Sequence, residues 1–438
     1  MSVLHGPAAR GDDIVIRGAR VIDPARNVDA TLDVVVEGGV ISRLDAPGAQ
    51  HVANGHRIIE AEGLVLAPAF VDPHVHLRAP GREDEETVAS GTMAAAAGGY
   101  CAVFAMPNTD PVVDSAAVLG ALIETARGEA AIPVGFLAAI SKGQLGAELT
   151  EMGELADHGA AGFSDDGRPV AAAGLMRRAL QYSTLTGRPL AVHCEELTLS
   201  RDGQVHEGAV AAELGFAGYP SVAESVMVER DLALAAYEGR PLHLLHLSAR
   251  ESVEALRAAQ ATGVVATAEV TPHHLCLTDE AVRTLDPNVK MNPPLRGEED
   301  RTALVDALRD GTIPAVATDH APHARHEKEV PFEAAPFGVT GLETSFASLF
   351  THLVRPGVVP LTTLLERMSA GPARVYGLEP PRIAVGASAN VVLLDTESEW
   401  RVGEEPFRSR SANSWLLGEK LRGRVRLTVA DGRLAFER

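Results

Sequence analysis

From the N-terminus to about residue 65, apolar and polar positions alternate in short runs, IVIRGARVID, DVVVEGGVISRLD and RIIEAEGLVLAP, broken by Gly, Pro and Asn. A period of two marks half-buried strands, so this stretch predicts an antiparallel sheet. The same texture returns near the C-terminus in ANVVLLD and KLRGRVRLTVADGRLAFER. The two terminal segments, 1–65 and 384–438, are therefore expected to join into one small β-sandwich domain. Between them, over 66–383, short apolar strands alternate with amphipathic helices, the pattern of βα units around a parallel sheet. The strands are expected at 65–72, 101–106, 133–139, 160–164, 189–193, 241–246, 264–270 and 313–319. Helices are expected at 83–97, 175–186, 223–237, 251–261 and 298–309. Eight such strands predict an α/β fold with a closed (β/α)8 TIM-like barrel. A doubly wound open sheet is the structural alternative, but no GxGxxG follows an early strand.

Composition narrows the field without changing that picture. The chain has 438 residues, 46% hydrophobic and 22% charged, as expected of a folded globular protein rather than a disordered one. Thirty-nine Lys plus Arg against 59 Asp plus Glu leave a net charge of −20, which repels nucleic-acid phosphates and anionic membrane surfaces. Neither nucleic acid nor membrane is expected as a partner. Three cysteines without a CxxC spacing indicate neither a thiolate zinc site nor a disulfide framework. The first residues, MSVLHGPAARGDD, hold no apolar signal core, so a cytoplasmic location is expected. The longest uncharged run, 87–109, is interrupted by glycines and a Pro-Asn pair and reads as helix, turn and strand rather than a membrane span.

Catalytic groups of a parallel barrel sit at the C-terminal ends of its strands. The first strand ends in Asp72-Pro73-His74-Val75-His76, where two His at a spacing of two share one side of an extended backbone. The fourth ends in Asp165-Asp166, the fifth in His193, the sixth in His246 and the eighth in Asp319-His320, with His323 shortly after. A lone strand-end His is more often an ordinary hydrogen-bonded residue than a ligand. Several independent strands delivering imidazoles and carboxylates to one rim suit zinc or a similar metal. Six ligands exceed the needs of one open catalytic zinc, so two metals are the simpler reading, with Asp165 or Asp166 as the bridging carboxylate.

These residues carry a family resemblance. DPHVHLRAPG (72–81), MPNT (106–109), FSDDG (163–167), VHCEE (192–196), LLHLSA (244–249), VTPHHL (270–275), MNPPLR (291–296), TDHAPH (318–323) and PFGVTGLET (336–344) together resemble the amidohydrolase superfamily, and within it the bacterial class I dihydroorotases. The resemblance implies two zinc ions, one held by His74, His76 and Asp319 and the other by His193 and His246. Its interval from the bridging aspartate to the fifth-strand His selects Asp166 over Asp165. Hydantoinases and allantoinases are known for a carboxylated lysine at that bridge, and none of the four lysines here lies near the fourth strand end. The substrate contacts implied are His76, Arg78, Asn108, Asn292, His323, Phe337 and Gly338. An arginine fork suits the exocyclic carboxylate of dihydroorotate.

The implied reaction is the reversible, zinc-dependent cyclisation of N-carbamoyl-L-aspartate to L-dihydroorotate in pyrimidine biosynthesis, with Asp319 as proton shuttle. The resemblance extends to a homodimer and to association with aspartate carbamoyltransferase. The competing expectations are a hydantoinase-like cyclic amidase, disfavoured by the aspartate bridge and the Arg78, Asn108 and His323 set, and a metal-free scaffold, disfavoured by retention of all six ligands. The charged stretch after the eighth strand, 324–336, reads as a surface loop or, alternatively, a lid. His273 and His274 are left outside the metal shell, and Cys194 is assigned to packing. His5, His51, His56, His158, His206, His326 and His352 read as surface histidines.

Overall fold

The structure, a computed structural model, describes residues 3–7, 11–48 and 55–438. His51 lies outside the described residues. The N-terminal strands β1 (Ile14–Asp23), β2 (Val28–Glu37), β3 (Val40–Asp45), β4 (Arg57–Glu60) and β5 (Val65–Pro68) join three C-terminal ones in a single eight-stranded sheet. The barrel supplies β6 (Phe70–Val75), β7 (Tyr100–Ala105), β8 (Val134–Ala138), β9 (Gly162–Phe163) and β10 (Ala191–Val192), then a small outlying pair, β11 (Val205–His206) and β12 (Gly218–Tyr219), follows. Strands β13 (Leu242–Leu244), β14 (Ala266–Val270) and β15 (Ala315–Val316) complete the barrel. The chain returns to the terminal sheet with β16 (Val391–Arg401), β17 (Lys420–Ala430) and β18 (Arg433–Glu437).

The terminal sheet runs β18-β17-β16-β5-β1-β2-β3, with β4 also on β1. It is mixed rather than purely antiparallel, because β1 pairs in parallel with both β4 and β5. That arrangement is possible because β1 changes register between Ile16 and Ala19. Gly18 takes the positive φ of 67° needed there, and its N–H is held by Asp33 Oδ1 at 2.8 Å. Ile16, Val34, Leu66, Leu393 and Val429 fill the core of this sheet.

The barrel strands form two parallel arcs, β6-β7-β8-β9 and β10-β13-β14-β15. Parallel bridges from Phe163 to Leu190 and from Val75 to His320 close them into a ring. The expected strand 65–72 is in fact two. The chain crosses from the terminal sheet to the barrel at Ala69, whose N–H bonds Asn390 O while Phe70 N–H bonds Gly99 O. Both halves are buried, so the apolar pattern shows no break.

The helices follow the expected positions closely, for example Arg250–Ala261 and Glu298–Asp310. The first is shorter than expected, Val88–Ala97 rather than 83–97. Thr87 caps it reciprocally with Ser90. The preceding residues stay irregular, with Glu85 and Glu86 turned into the molecule at 0% exposure. Three histidines expected at the surface are not fully there: His5 is buried with Nε2 3.2 Å from Gly159 O, while His56 and His206 are half-buried. Between β16 and β17 the chain leaves the terminal sheet, and residues 407–416 run to the C-terminal rim of the barrel, where Ser409 bonds Glu86.

Candidate metal and substrate site

The floor of the site is built at strand ends. Asp72 ties the first strand to the eighth by accepting Thr318 N–H at 3.1 Å and Thr318 Oγ1 at 2.5 Å, and it also accepts His74 N–H at 3.2 Å. This fixes the backbone from which His74 and Asp319 project. Arg78, His246 and Asp319 hold positive φ values of 57°, 30° and 47°. Such backbone is costly for an L residue and survives only where the surroundings impose it, which is common at functional sites.

Five of the expected residues gather around a sixth, Asp166. Asp166 Oδ2 lies 3.5 Å from both His74 Nε2 and His76 Nε2, while Oδ1 lies 3.5 Å from His246 Nε2 and 3.6 Å from His193 Nδ1. Asp319 Oδ1 completes the first group, 3.1 Å from His76 Nε2 and 3.4 Å from His74 Nε2. In the second group His193 Nδ1 and His246 Nε2 face each other at 3.0 Å. Each oxygen of one carboxylate thus serves a separate cradle. Asp165 points elsewhere: its carboxylate accepts the N–H of Ile140 and Ser141 and the Ser141 hydroxyl, and burial pushes it up to about 6.

Three of the four imidazoles, those of His74, His76 and His193, are oriented from behind. His74 Nδ1 meets Glu269 Oε1 at 2.7 Å, and the other oxygen of Glu269 meets His243 Nε2 at 3.0 Å. His76 Nδ1 donates to Asn108 Oδ1 at 2.9 Å, and His193 Nε2 donates to Glu195 Oε2 at 2.9 Å. A carboxylate or amide on the rear nitrogen leaves the front nitrogen as a lone-pair donor, the usual orientation of metal-ligating histidines. His74 Nε2 is buried without a hydrogen bond, as expected of an atom whose partner is a cation. Burial favours the neutral acid at Asp166, yet the positive charge of a protonated His74 ring, and then a hydrogen bond from His246, hold it well below the usual carboxylate range. Asp319 is lowered likewise, against burial, by His74 and His76. The donor set fits one or two divalent cations, with the closest groups being His74, His76 and Asp319, and His74, Asp166 and His246.

One wall of the site comes from loops. Arg78 Nε donates to Pro322 O at 3.1 Å and stands 3.1 Å from Glu85 Oε2. His323 Nε2 donates to Phe337 O at 2.7 Å, and its Nδ1 lies 3.3 Å from Glu85 Oε1. Burial, then the charges of Arg78 and Lys328, lower its pKa to about 3, which leaves a neutral ring. Asn292 Nδ2 donates to Glu195 Oε2 at 3.1 Å, and Asn108 Nδ2 to Asp166 Oδ2 at 3.4 Å. Gly338 N–H bonds Lys290 O. All the expected substrate residues therefore border the cradles or this wall. His274 is committed to Thr271 Oγ1 and Pro293 O, and Cys194 is buried with its thiol pushed up by burial.

The segment 324–336 is strapped down. Lys328 Nζ donates to Pro287 O and Pro336 O, and Lys290 Nζ donates to Phe332 O and Glu333 O. Sequence reasoning missed Glu85, Glu195 and Glu269. The signal for Glu269 was present, since a carboxylate inside a buried strand needs a partner.

Comparison with known proteins bears on the family and the fold. A family model described as dihydro-orotase-like matches residues 63–252. A dihydroorotase of Geotalea daltonii is 46% identical over 426 residues, 97% of this chain and 100% of that protein. A dihydroorotase of Anaeromyxobacter dehalogenans is 46% identical over 430 residues, covering 97% and 98%. Among solved structures, an L-hydantoinase (dihydropyrimidinase) from Arthrobacter aurescens matches with a TM-score of 0.87 at 25% identity, over 98% of this chain and 96% of that one. A dihydropyrimidinase from Brevibacillus agri NCHU1002, at 23% identity and a TM-score of 0.83 over 97% and 95% of the two chains, shares the fold.

Proposed function

The chain belongs to the dihydroorotase family, and from that premise we propose that it catalyses the zinc-dependent, reversible cyclisation of N-carbamoyl-L-aspartate to L-dihydroorotate, as a class I member acting in de novo pyrimidine synthesis. The observation that carries this reading is the placing of Asp166, with one oxygen toward His74 and His76 and the other toward His193 and His246. Two zinc ions suit four imidazoles and two carboxylates. When bound, they supply Lewis acidity that polarises the ring carbonyl and makes water a nucleophile near neutral pH.

The chain's own residues account for the rest. Arg78, Asn108, Asn292 and His323 take the exocyclic carboxylate and its neighbourhood, with the arginine held by Glu85 so that its fork stays oriented. Phe337 and Gly338 border the pyrimidine ring. In ring opening, a C–O bond forms from water to the ring carbonyl carbon and the ring C–N bond breaks. Asp319 accepts the proton released by water and gives it to the departing nitrogen. In the reverse direction the ureido nitrogen closes onto the side-chain carboxyl and water leaves.

A cytoplasmic setting, a homodimer and association with aspartate carbamoyltransferase belong to the same reading. Sizing the purified chain alone and with that enzyme checks the last two. Among the described residues no helix is long and apolar enough to cross a membrane. The activity is tested by ultraviolet-monitored ring opening of L-dihydroorotate on the zinc-supplied protein, with hydantoin and allantoin alongside. Selective loss of dihydroorotate absorbance, abolished by a chelator, is expected. Turnover of hydantoin without turnover of dihydroorotate would replace this reading with a hydantoinase one.

A further inference from the structure

The wall that faces the substrate is held together by a residue from far along the chain. Asn413 lies in the 407–416 segment that leaves the terminal sheet, and it is 6% exposed. Its Oδ1 accepts the N–H of His323 at 3.1 Å, and its Nδ2 donates to Ala321 O at 3.1 Å and to Gly338 O at 3.2 Å. Its own carbonyl accepts Thr340 N–H at 2.9 Å. Every side-chain donor of the amide is thereby used on two separate strips of main chain, 321–323 and 338–340.

Those strips approach closely. A Cβ on Gly338, which has a φ of 118°, would stand 2.7 Å from Ala321 Cβ and 3.2 Å from His323 Nε2. The gap between the imidazole and the Phe337–Gly338 backbone is therefore set by main-chain placement: Ala321 N–H bonds Val339 O at 2.9 Å, His320 Nδ1 accepts Gly341 N–H at 3.2 Å, and Asn413 adds side-chain hydrogen bonds to His323 N–H, Ala321 O and Gly338 O at the edge of the gap. Its chemistry is specific, because one N–H and two carbonyls need one acceptor and two donors, which an amide supplies and a carboxylate does not. The segment carrying it is itself anchored: Glu343 accepts Arg408 N–H at 2.8 Å and Ser409 N–H at 3.1 Å, and Ser411 Oγ donates to Glu85 O at 2.8 Å.

We propose that Asn413 is a positioning residue for substrate binding, holding His323 and Gly338 at the separation that receives the substrate's carboxylate and ring. The terminal sheet thus lends a working part to the barrel. The inference rests on the dihydroorotase reading of His323 and Gly338.

The test compares wild type with Asn413→Asp, which keeps the shape but sets an oxygen against two carbonyls, and with Asn413→Ala. The expected result is a KM for dihydroorotate raised by ~10-fold or more, kcat within ~3-fold, and unchanged bound zinc. Orotate, a planar pyrimidine with the same carboxylate, should lose affinity by a similar factor in direct binding. A folded variant with unchanged KM, or one that loses kcat and zinc instead, overturns the proposal. Absence of dihydroorotate turnover in wild type defeats the functional reading instead, and orotate binding then still reports on Asn413. Amide exchange on wild type does not depend on a variant folding: 320–324 and 337–341 should be protected before any ligand is added. Protection that arrives only with orotate would overturn the preorganised role.

Discussion

The floor and the wall of the site reach their geometry by different routes. On the floor, His74, His76, Asp166, His193, His246 and Asp319 stand at or just beyond the ends of barrel strands. The barrel's hydrogen-bond ladder places them, and carboxylates such as Glu195 and Glu269 turn the rings. On the wall, Arg78, His323, Phe337 and Gly338 lie in loops, and their positions depend on Glu85, Asn413 and two buried lysines from other parts of the chain. In the proposed reading a floor built this way fixes the reacting atoms, so damage there should appear in kcat and metal binding. In the same reading a wall built from loops holds the substrate, so damage there should appear in KM.

The sharpest break comes from Asp319→Asn. An amide cannot accept the proton from water, so kcat should fall by about 10²–10⁴-fold, the range associated with a lost general base. Steady-state turnover with parallel zinc analysis checks this, and near-normal kcat would remove Asp319 from the shuttle role. Glu269→Gln should come next. It leaves His74 Nδ1 and His243 Nε2 facing a neutral amide in a fully buried place, and such second-layer losses typically cost about 10–100-fold in metal affinity. Chelator competition measures it, and an unchanged affinity would mean that the barrel backbone alone orients His74.

The floor was legible in the sequence and most of the wall's support was not. A strand-end residue announces itself, because the apolar run before it shows where the strand stops and the barrel rule says which end matters. His74, His193, His246 and Asp319 could be found that way, and the ladder then forced them together. Asp165 and Asp166 stood side by side, and only the fold shows one carboxylate absorbed by Ser141 while the other faces four imidazoles. Glu85 was hidden inside what read as the first turns of a helix, because the Thr87 cap that starts the helix later is a local contest between turn and helix. Asn413 sits in a polar run with no periodicity, and its partners are 90 and 75 residues away. Nothing local distinguishes it from a solvated loop. The parallel pairing of β1 with β4 and β5 was equally unreadable, since alternation specifies which face is buried but not the direction of the neighbour.

A smaller effect on the wall sharpens the contrast. Arg78→Lys keeps the charge but loses the planar fork and the Nε that bonds Pro322 O beside Glu85. KM for dihydroorotate should rise by roughly 10-fold, with kcat falling much less. An equal fall in kcat with unchanged KM would place Arg78 on the floor side of the comparison.

The smallest expected effect tests whether the wall's fastening titrates. Burial, then the charge of Lys290, lowers the Lys328 amine from an ordinary 10.5 to about 7, while its Nζ still donates to Pro287 O at 3.1 Å and Pro336 O at 2.7 Å. Between those two values the unfolded chain carries a proton on this amine that the native protein has already released. The unfolded state therefore binds more protons, and native stability contributed by this residue rises with pH through that window. Below about 7 both states are protonated and the dependence disappears. Lys328→Met has no amine to titrate, so the Tm of wild type minus that of the variant should increase by a few degrees, about 1–4 °C, from pH 7 toward pH 10. A difference that stays flat across the range would show the amine charged in the native state as well. The strap would then be fastened by an ammonium held among carbonyls, and the wall would be as indifferent to pH in this range as the paired carboxylates of the floor.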